Sequence, residues 1–534
     1  MVDHRLRVRS VRVVLVIVLL AAGVRLVQVQ VLQAEALSEK AARQRTQQVR
    51  VPSVRGDIRD RTGGKLAFSV TTKALSWSPK AMRARYAKSG IDFGARTAAI
   101  AARFESVLHD KVDEPELLAR MRGNEFTYLA ADVDPAQERE ITRDYKGEIG
   151  VETRIRREYP GGTLASSILG YASRHAASPD GLMHGWFGLE AARDTVLAGE
   201  PGSVTADVDG GADGVVIPGT ERDLRPAKNG AGIELTLDSD IQYNAQRQLA
   251  EYVASTGATG GSIVVLDART AEILALAGAK NFDPRDPHGP FGLGNSEATG
   301  VPAATVPQQP GAVQKLVTAA AVIEHQIAGP DDIVEMSDVG TVTLARKVGP
   351  DRYAAMLNAF GLGTRTGAGL PGENAGSVPD RAGWSATTLD ELAIGQGLSA
   401  TTLQTTSMYQ AIAHEGVRVP PRIIKAIINS DGTRHEQPAP ENVRVVSENT
   451  AATLRAKLRA TASAGIPGYQ IAAMTGPGDA QTPVTIAGIL PADNPRFVIG
   501  IALNSPIEAA PLFRNVASYL TQRFSLPLST ELPR

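Results

Sequence analysis

Four arginines, Arg5, Arg7, Arg9 and Arg12, stand ahead of Val13 to Val24, twelve residues without a polar side chain, and Leu26 to Leu32 carry the stretch on past Arg25. This segment constrains the chain more than any other, because it decides on which side of a membrane the rest must fold. Val13 to Leu32 is 20 residues, and a helix rising about 1.5 Å per residue needs about 20 to cross the hydrocarbon. Arginines before a span favour a cytoplasmic N-terminus, and Arg25 near the far end can snorkel to the headgroups. The expected layout is a cytoplasmic tail at 1–12, a single-pass transmembrane anchor at 13–32, and the bulk of the chain outside the plasma membrane. A cleaved signal peptide is the alternative, although Ala21-Ala22-Gly23 is a poor cleavage signal. No second apolar stretch of spanning length follows.

With 534 residues and 43% hydrophobic side chains the chain can bury large cores and exceeds one ordinary domain. Its 56 Lys plus Arg against 57 Asp plus Glu offer no polybasic field for a nucleic-acid backbone. No cysteine is present, so disulfides, thiolate nucleophiles and cysteine-bound metals are excluded. The eight histidines lack ligand spacing. No cofactor or metal is implied.

Residues 33–50 are polar and helix-prone, as a stalk would be. From Val51 to about Leu197 strand-like pieces alternate with helical ones such as Asp92 to Leu108. Gly202, Gly210, Gly211, Gly214, Gly219, Gly230 and Gly232 then crowd together with Pro201, Pro218 and Pro226, loop chemistry that marks a domain boundary. Beyond it Ile233 to Leu237 reads as a strand, and Asp238 or Ser239 can cap a helix with Ile241, Ala245, Leu249 and Val253 at helical spacing. Ser262 to Asp267 and Glu272 to Ala277 read as a hairpin. Helices follow at about 312–326, 350–360 and 401–414, with Ser447 capping another. The tail gives strands at 470–474, 484–490 and 496–503 and a helix opened by Pro511. Strands first, helices between and strands last make an α+β domain, an antiparallel sheet with helices packed on it.

There is no HExxH, no GxxxxGK[ST] and no GxSxG, which removes the zinc-protease, P-loop and α/β-hydrolase readings. Gly361-Leu362-Gly363-Thr364-Arg365-Thr366-Gly367 has its third glycine one place late for a dinucleotide loop and reads as a helix stop plus turns. Arg55-Gly56-Asp57-Ile58-Arg59-Asp60-Arg61-Thr62-Gly63, Tyr159-Pro160-Gly161-Gly162, Gly188-Leu189-Glu190 and Gly202-Ser203 occur in that order. They resemble the linked motifs of the non-catalytic domain of class B penicillin-binding proteins. Leu235-Thr236-Leu237-Asp238, Ile241-Gln242, Pro310-Gly311, Phe360-Gly361-Leu362-Gly363, Leu370-Pro371-Gly372-Glu373 and Gly395-Gln396-Gly397 resemble the transpeptidase domain of the same family. The flavour is that of the actinobacterial FtsI-like peptidoglycan D,D-transpeptidases. The resemblance implies a pedestal (dimerisation-type) domain with linker at 33–230 and a penicillin-binding/β-lactamase-like transpeptidase domain at 231–528.

The family's chemistry rests on S-x-x-K, S-x-N and K-T-G: a serine nucleophile with a lysine one turn on, a second hydroxyl with an amide, and an edge-strand cation with backbone N–H groups for the oxyanion. Each is broken here. Pro310-Gly311 leads into Ala312-Val313-Gln314-Lys315, so the lysine stays and the nucleophile has become a methyl group; no S-x-x-K exists anywhere in the chain. Met336-Ser337-Asp338 puts Met at the motif serine and Asp at the asparagine. Ala473-Met474-Thr475-Gly476 puts Met474 at the lysine, with Thr475 and Gly476 kept. Ser447-Glu448-Asn449 fits S-x-N literally but reads as an N-cap. Lys315 and Ser337 are 22 positions apart, closer than the family has them. In a serine protease, removal of the nucleophile costs about a million-fold in kcat, or about 8 kcal/mol. The expectation is a non-catalytic scaffold or regulator in septal peptidoglycan synthesis, with Lys315 and Ser337 vestigial and Lys315 paired to Asp338. Expected partners are the membrane, divisome or elongasome proteins including a peptidoglycan glycosyltransferase, and stem peptides, with no nucleic acid. Two readings remain beside it: an active D,D-transpeptidase using a nucleophile such as Ser337, and a sensor that binds stem peptides without cleaving them.

Overall fold

The computed structural model describes residues 2–28, 46–174, 182–209, 215–216, 220, 222–286, 300–329, 337–461, 465–478 and 482–529. Compactness does not follow a single cut near residue 230. One unit comprises Met1–Ser53, Thr72–Arg154 and Glu200–Lys228, the other Val54–Thr71, Ile155–Gly199 and Asn229–Arg534.

In the first unit a helix runs over Val2–Val27. On the single span expected over 13–32, among the described residues no helix is long and apolar enough to cross a membrane. Residues 29–32 of the expected span lie outside the described residues. Val11, Val13 to Leu20 and Val24 are nonetheless 53% to 69% exposed, with no core against them. This unit has its own core, in which Trp77, Tyr86, Ile100, Phe104, Leu117, Met121 and Leu129 are buried. The expected helix is there as Phe93–Leu108, with the Asp92 carboxylate accepting from Ala95 N at its start.

The second unit is built on a five-stranded antiparallel sheet: β1 Gly261–Asp267, β2 Ile273–Gly278, β3 Ala472–Gly476, β4 Val484–Leu490 and β5 Phe497–Leu503, in the order β2-β1-β5-β4-β3. β2, β4 and β5 are buried at every residue and β1 at all but Gly261, because both faces are covered and alternate residues face different cores. Ile263, Val265, Ile499 and Ile501 lie in one cluster with Ile241, Ala245 and Leu249 of α1 (Ser239–Thr256), as well as residues of the last helix, Ala510–Arg523. Val264, Leu266 and Val498 join the opposite cluster, which also holds residues of α2 (Lys315–Glu324), α3 (Asp338–Val348), α4 (Thr402–Ala413) and α5 (Glu448–Thr461). Asp238 caps α1 by accepting from Asp240 N and Ile241 N, and Thr401 with Gln404 forms a capping box on α4. Gly361, Gly363 and Gly367 all take positive φ, as a helix stop and turns require.

The motif residues upstream of the boundary meet inside this unit. Arg55 Nε donates to Glu190 Oε2 at 2.6 Å, Arg55 Nη1 to Asp194 Oδ1 at 2.5 Å, and Arg157 Nε to Glu190 Oε1 at 2.8 Å. Arg55, Arg157 and Glu190 are all buried. Tyr159 donates its hydroxyl to Glu190 Oε1 at 3.3 Å and accepts from Ala172 N at 2.8 Å. Burial alone would push the Asp194 carboxyl up, but the Gly185 N–H and the Arg55 guanidinium hold it below its ordinary range.

Candidate functional site

The expected helix at 312–326 begins with a tighter turn. Gly311–Gln314 is a 3-10 segment that passes into α2 at Lys315. In such a turn residues i and i+3 eclipse, so the side chains of 312 and 315 lie along one line. The turn is clamped from several sides. Gly311 takes φ +63°, and its N–H reaches Gly395 O at 3.3 Å. A Cβ on Gly395 would stand 2.0 Å from Gly311 O, so the Gly395-Gln396-Gly397 stretch needs its first glycine for backbone to meet backbone. Tyr409 donates to Val313 O at 3.1 Å.

The edge strand β3 ends against the same turn. A Cβ on Gly476 would lie 3.1 Å from Ala312 N and 3.3 Å from Pro310 O, and Thr485 on the neighbouring strand donates to Pro310 O at 2.8 Å. Residues some 160 apart in sequence, those expected to hold the first and third motifs, are thus packed together. Met474 lies opposite Ala487 and Thr475 opposite Ile486 in the β3–β4 ladder. Met474 packs on the larger core with its thioether partly buried, where the family motif would place an ammonium.

Lys315 supplies the link to the second motif. Its Nζ lies 2.6 Å from Asp338 Oδ1, the lysine side chain 10% exposed and the aspartate 69%. The expected pairing is present. Asp338 is the first residue of α3, and the residue before it, Ser337, is the cap: its Oγ accepts from Gly340 N at 3.1 Å. A carboxylate in the first turn is favoured by the helix macrodipole. Met336 lies outside the described residues.

Ser447, the literal S-x-N match, behaves as the expected cap, accepting from Thr450 N at 3.3 Å. Its N–H and hydroxyl both donate to Glu324 at the end of α2, at 3.0 and 2.9 Å. Burial pushes the Glu324 carboxyl up, yet the Thr450 hydroxyl and the Ser447 donors outweigh it and hold the group below the usual carboxylate range. Sequence reasoning missed Gly395, Tyr409 and Thr485 as the clamps on the turn. Only Gly395 had a signal, its place in a G-x-G motif. Among the described residues no group of three or more His, Asp or Glu side chains could hold a metal ion.

A two-sided sheet whose edge strand closes on a turn carrying the first motif defines a penicillin-recognising transpeptidase domain, here with a methyl group where the serine would stand. The family models for the penicillin-binding protein transpeptidase domain and dimerisation domain match residues 261–338 with 333–517, and 50–235, respectively. The two transpeptidase pieces meet at 333–338, within the stretch whose motif spacing is short. The chain belongs to the class B penicillin-binding proteins of the FtsI/PbpB type. It is 42% identical to penicillin-binding protein PbpB of Mycobacterium tuberculosis, covering 90% of this chain and 79% of that protein. It is 28% identical to the peptidoglycan D,D-transpeptidase FtsI of Escherichia coli over 86% of this chain and 80% of that one. Among solved structures, penicillin-binding protein 3 of Mycobacterium tuberculosis complexed with ampicillin superposes with a TM-score of 0.68 at 34% identity, covering 91% of this chain and 98% of that chain. A peptidoglycan synthetase from Bifidobacterium adolescentis gives 0.70 at 26% identity, covering 92% and 99%.

Proposed function

We propose that this chain is a non-catalytic member of its family, a scaffold or regulator in septal peptidoglycan synthesis. One observation carries the reading: the turn, the edge strand and the lysine are kept in place, while position 312 is a methyl group and Lys315 is tied to Asp338. Acyl transfer needs an oxygen to attack the carbonyl, and its loss alone is worth about 8 kcal/mol of barrier. The competing reading, an active D,D-transpeptidase using Ser337, runs against the hydrogen bond that the Ser337 hydroxyl accepts from Gly340 N as the cap of α3.

The partners follow from membership in a family whose named members act in cell-wall synthesis: divisome or elongasome proteins, among them a peptidoglycan glycosyltransferase, with stem peptides as a cleft ligand. The N-terminal segment holds the chain at the plasma membrane with its bulk outside; the exposed apolar side chains from Val13 to Val24 behind four arginines support that placement.

One experiment reads both parts. Cells expressing the chain are fractionated and treated with fluorescent penicillin. The protein is expected in the membrane fraction without covalent label, beside labelled native penicillin-binding proteins as the control. A labelled band at its mass refutes the non-catalytic reading, and recovery in the soluble fraction refutes the membrane placement.

A further inference from the structure

We infer that residues 525–529 form a strap that fastens the entry of β3, so that the tail behind the last helix and the strand bearing Met474 open and close as one unit. This holds whatever stands at position 312, since it concerns the frame of the site and not its chemistry.

The tail doubles back directly after the last helix. Phe524 N donates to Leu520 O at 3.1 Å and Leu526 N to Thr521 O at 3.0 Å. Ser525 between them takes φ +47°, a left-handed conformation that residues with a Cβ rarely adopt. Beyond this turn the tail meets the segment that leads into β3. Tyr469 donates its hydroxyl to Leu526 O at 2.8 Å, and Ser529 N donates to Gly468 O at 3.0 Å. The Ser529 hydroxyl accepts from Gln470 N at 3.0 Å and donates to Asp493 Oδ1 at 2.9 Å, in the turn between β4 and β5. Gln470 O accepts from Ala492 N of the same turn at 2.8 Å. Gln470 stands two residues ahead of β3, so the tail holds its N–H and the β4–β5 turn its carbonyl.

β3 is an edge strand, paired on one side only, with β4, and its entry depends on these bonds. Ser529 and Gln470 are both buried. Loss of the Ser529 hydroxyl therefore leaves the Gln470 N–H enclosed without an acceptor, which costs more than an ordinary hydrogen bond is worth. The strap has little else to hold it. Leu526 is only partly buried against the core cluster of α1 and the last helix, and Leu528 is 67% exposed. A segment held by few hydrogen bonds and little apolar contact opens at far lower cost than the sheet unfolds. The bonds that break in such an opening are the ones that place the start of β3. Coupling of this kind is reciprocal: whatever draws the tail off Gly468 and Gln470 loosens β3, and whatever fixes β3 draws the tail in.

The test is hydrogen exchange of the full chain at low urea concentrations, read by mass spectrometry in peptides covering 465–476, 525–529 and β1. It compares the unaltered chain with S529A and S529T, after thermal melts show that each is folded. The peptides 465–476 and 525–529 are expected to share one opening, with a weaker urea dependence than that of β1 because less surface is exposed. S529A is expected to speed both by the same factor, about ten-fold, whereas S529T, which keeps the hydroxyl, stays with the unaltered chain. Faster exchange of the tail alone, no change in either peptide, a urea dependence of 465–476 equal to that of β1, or S529T behaving as S529A would overturn the inference. If S529A melts below the assay temperature, Y469F, which gives up the bond to Leu526 O, is read in the same way.

Discussion

Glu190 sits fully buried between two guanidiniums, each of its carboxylate oxygens taken by a different arginine. Arg157 Nη2 already finds no hydrogen-bond partner, so the cluster has no spare acceptor to offer. Removing one member of such a buried group strands the charges that remain, typically at about 3–5 kcal/mol. Glu190→Ala should lower the unfolding free energy by that order in a urea titration, and a loss under about 1 kcal/mol would mean that the arginines find other acceptors. The sequence showed Arg55 and Glu190 as motif residues, but not that they touch across 135 positions, because a motif gives residue types without distances. Lys315 and Asp338 were readable as a pair for a different reason. A carboxylate had replaced an amide in a motif whose neighbour was a known lysine, and opposite charges brought to one cleft have an evident partner.

At the level of elements, boundaries followed caps and stops closely. The helix expected at 401–414 is found at Thr402–Ala413 with its capping box, and the strand expected at 484–490 is Val484–Leu490. The helix α3 was not legible. Val339, Gly340, Thr341, Val342 and Thr343 are weak helix formers, and the element exists because Ser337 caps it while Thr341, Ala345 and Val348 bury one face. Tertiary burial outweighed local preference there. The meeting of β3 with the 312 turn was legible only through the family resemblance, whose motifs share one cleft, since the contact itself depends on a glycine that has no side chain to show a pattern. It makes a prediction: Gly476→Ala would set a methyl 2.6 Å from Thr485 Oγ1 and 3.1 Å from Ala312 N. The hydroxyl can swing aside only by giving up Pro310 O, and the backbone nitrogen cannot yield without shifting the turn. The expected destabilisation is about 1–3 kcal/mol, seen as a lower melting temperature. An unchanged melt would show that strand and turn are not pressed together.

For the molecule as a whole, the glycine-rich stretch near residue 230 looked like a divide, yet the larger compact unit takes in Val54–Thr71 and Ile155–Gly199 as well. Those segments contribute to its core: Ile58, Leu66, Tyr159, Ile168, Leu169 and Leu189 are buried in the same cluster as Leu235, Val264 and Val317. Ile233 also pairs with Ile58 in a parallel ladder. A fragment of residues 231–528 is therefore expected to lack a sharp cooperative unfolding transition, and a calorimetric trace as steep as that of the full chain would contradict this. Periodicity could not reveal the arrangement, because a hydrophobic pattern says that a face is covered and not by which distant segment. The threading also bears on how such a chain can age. If the chain is non-catalytic as proposed, no single deletion of the transpeptidase half would spare the other, so selection for the pedestal alone would go on preserving the shell of that half.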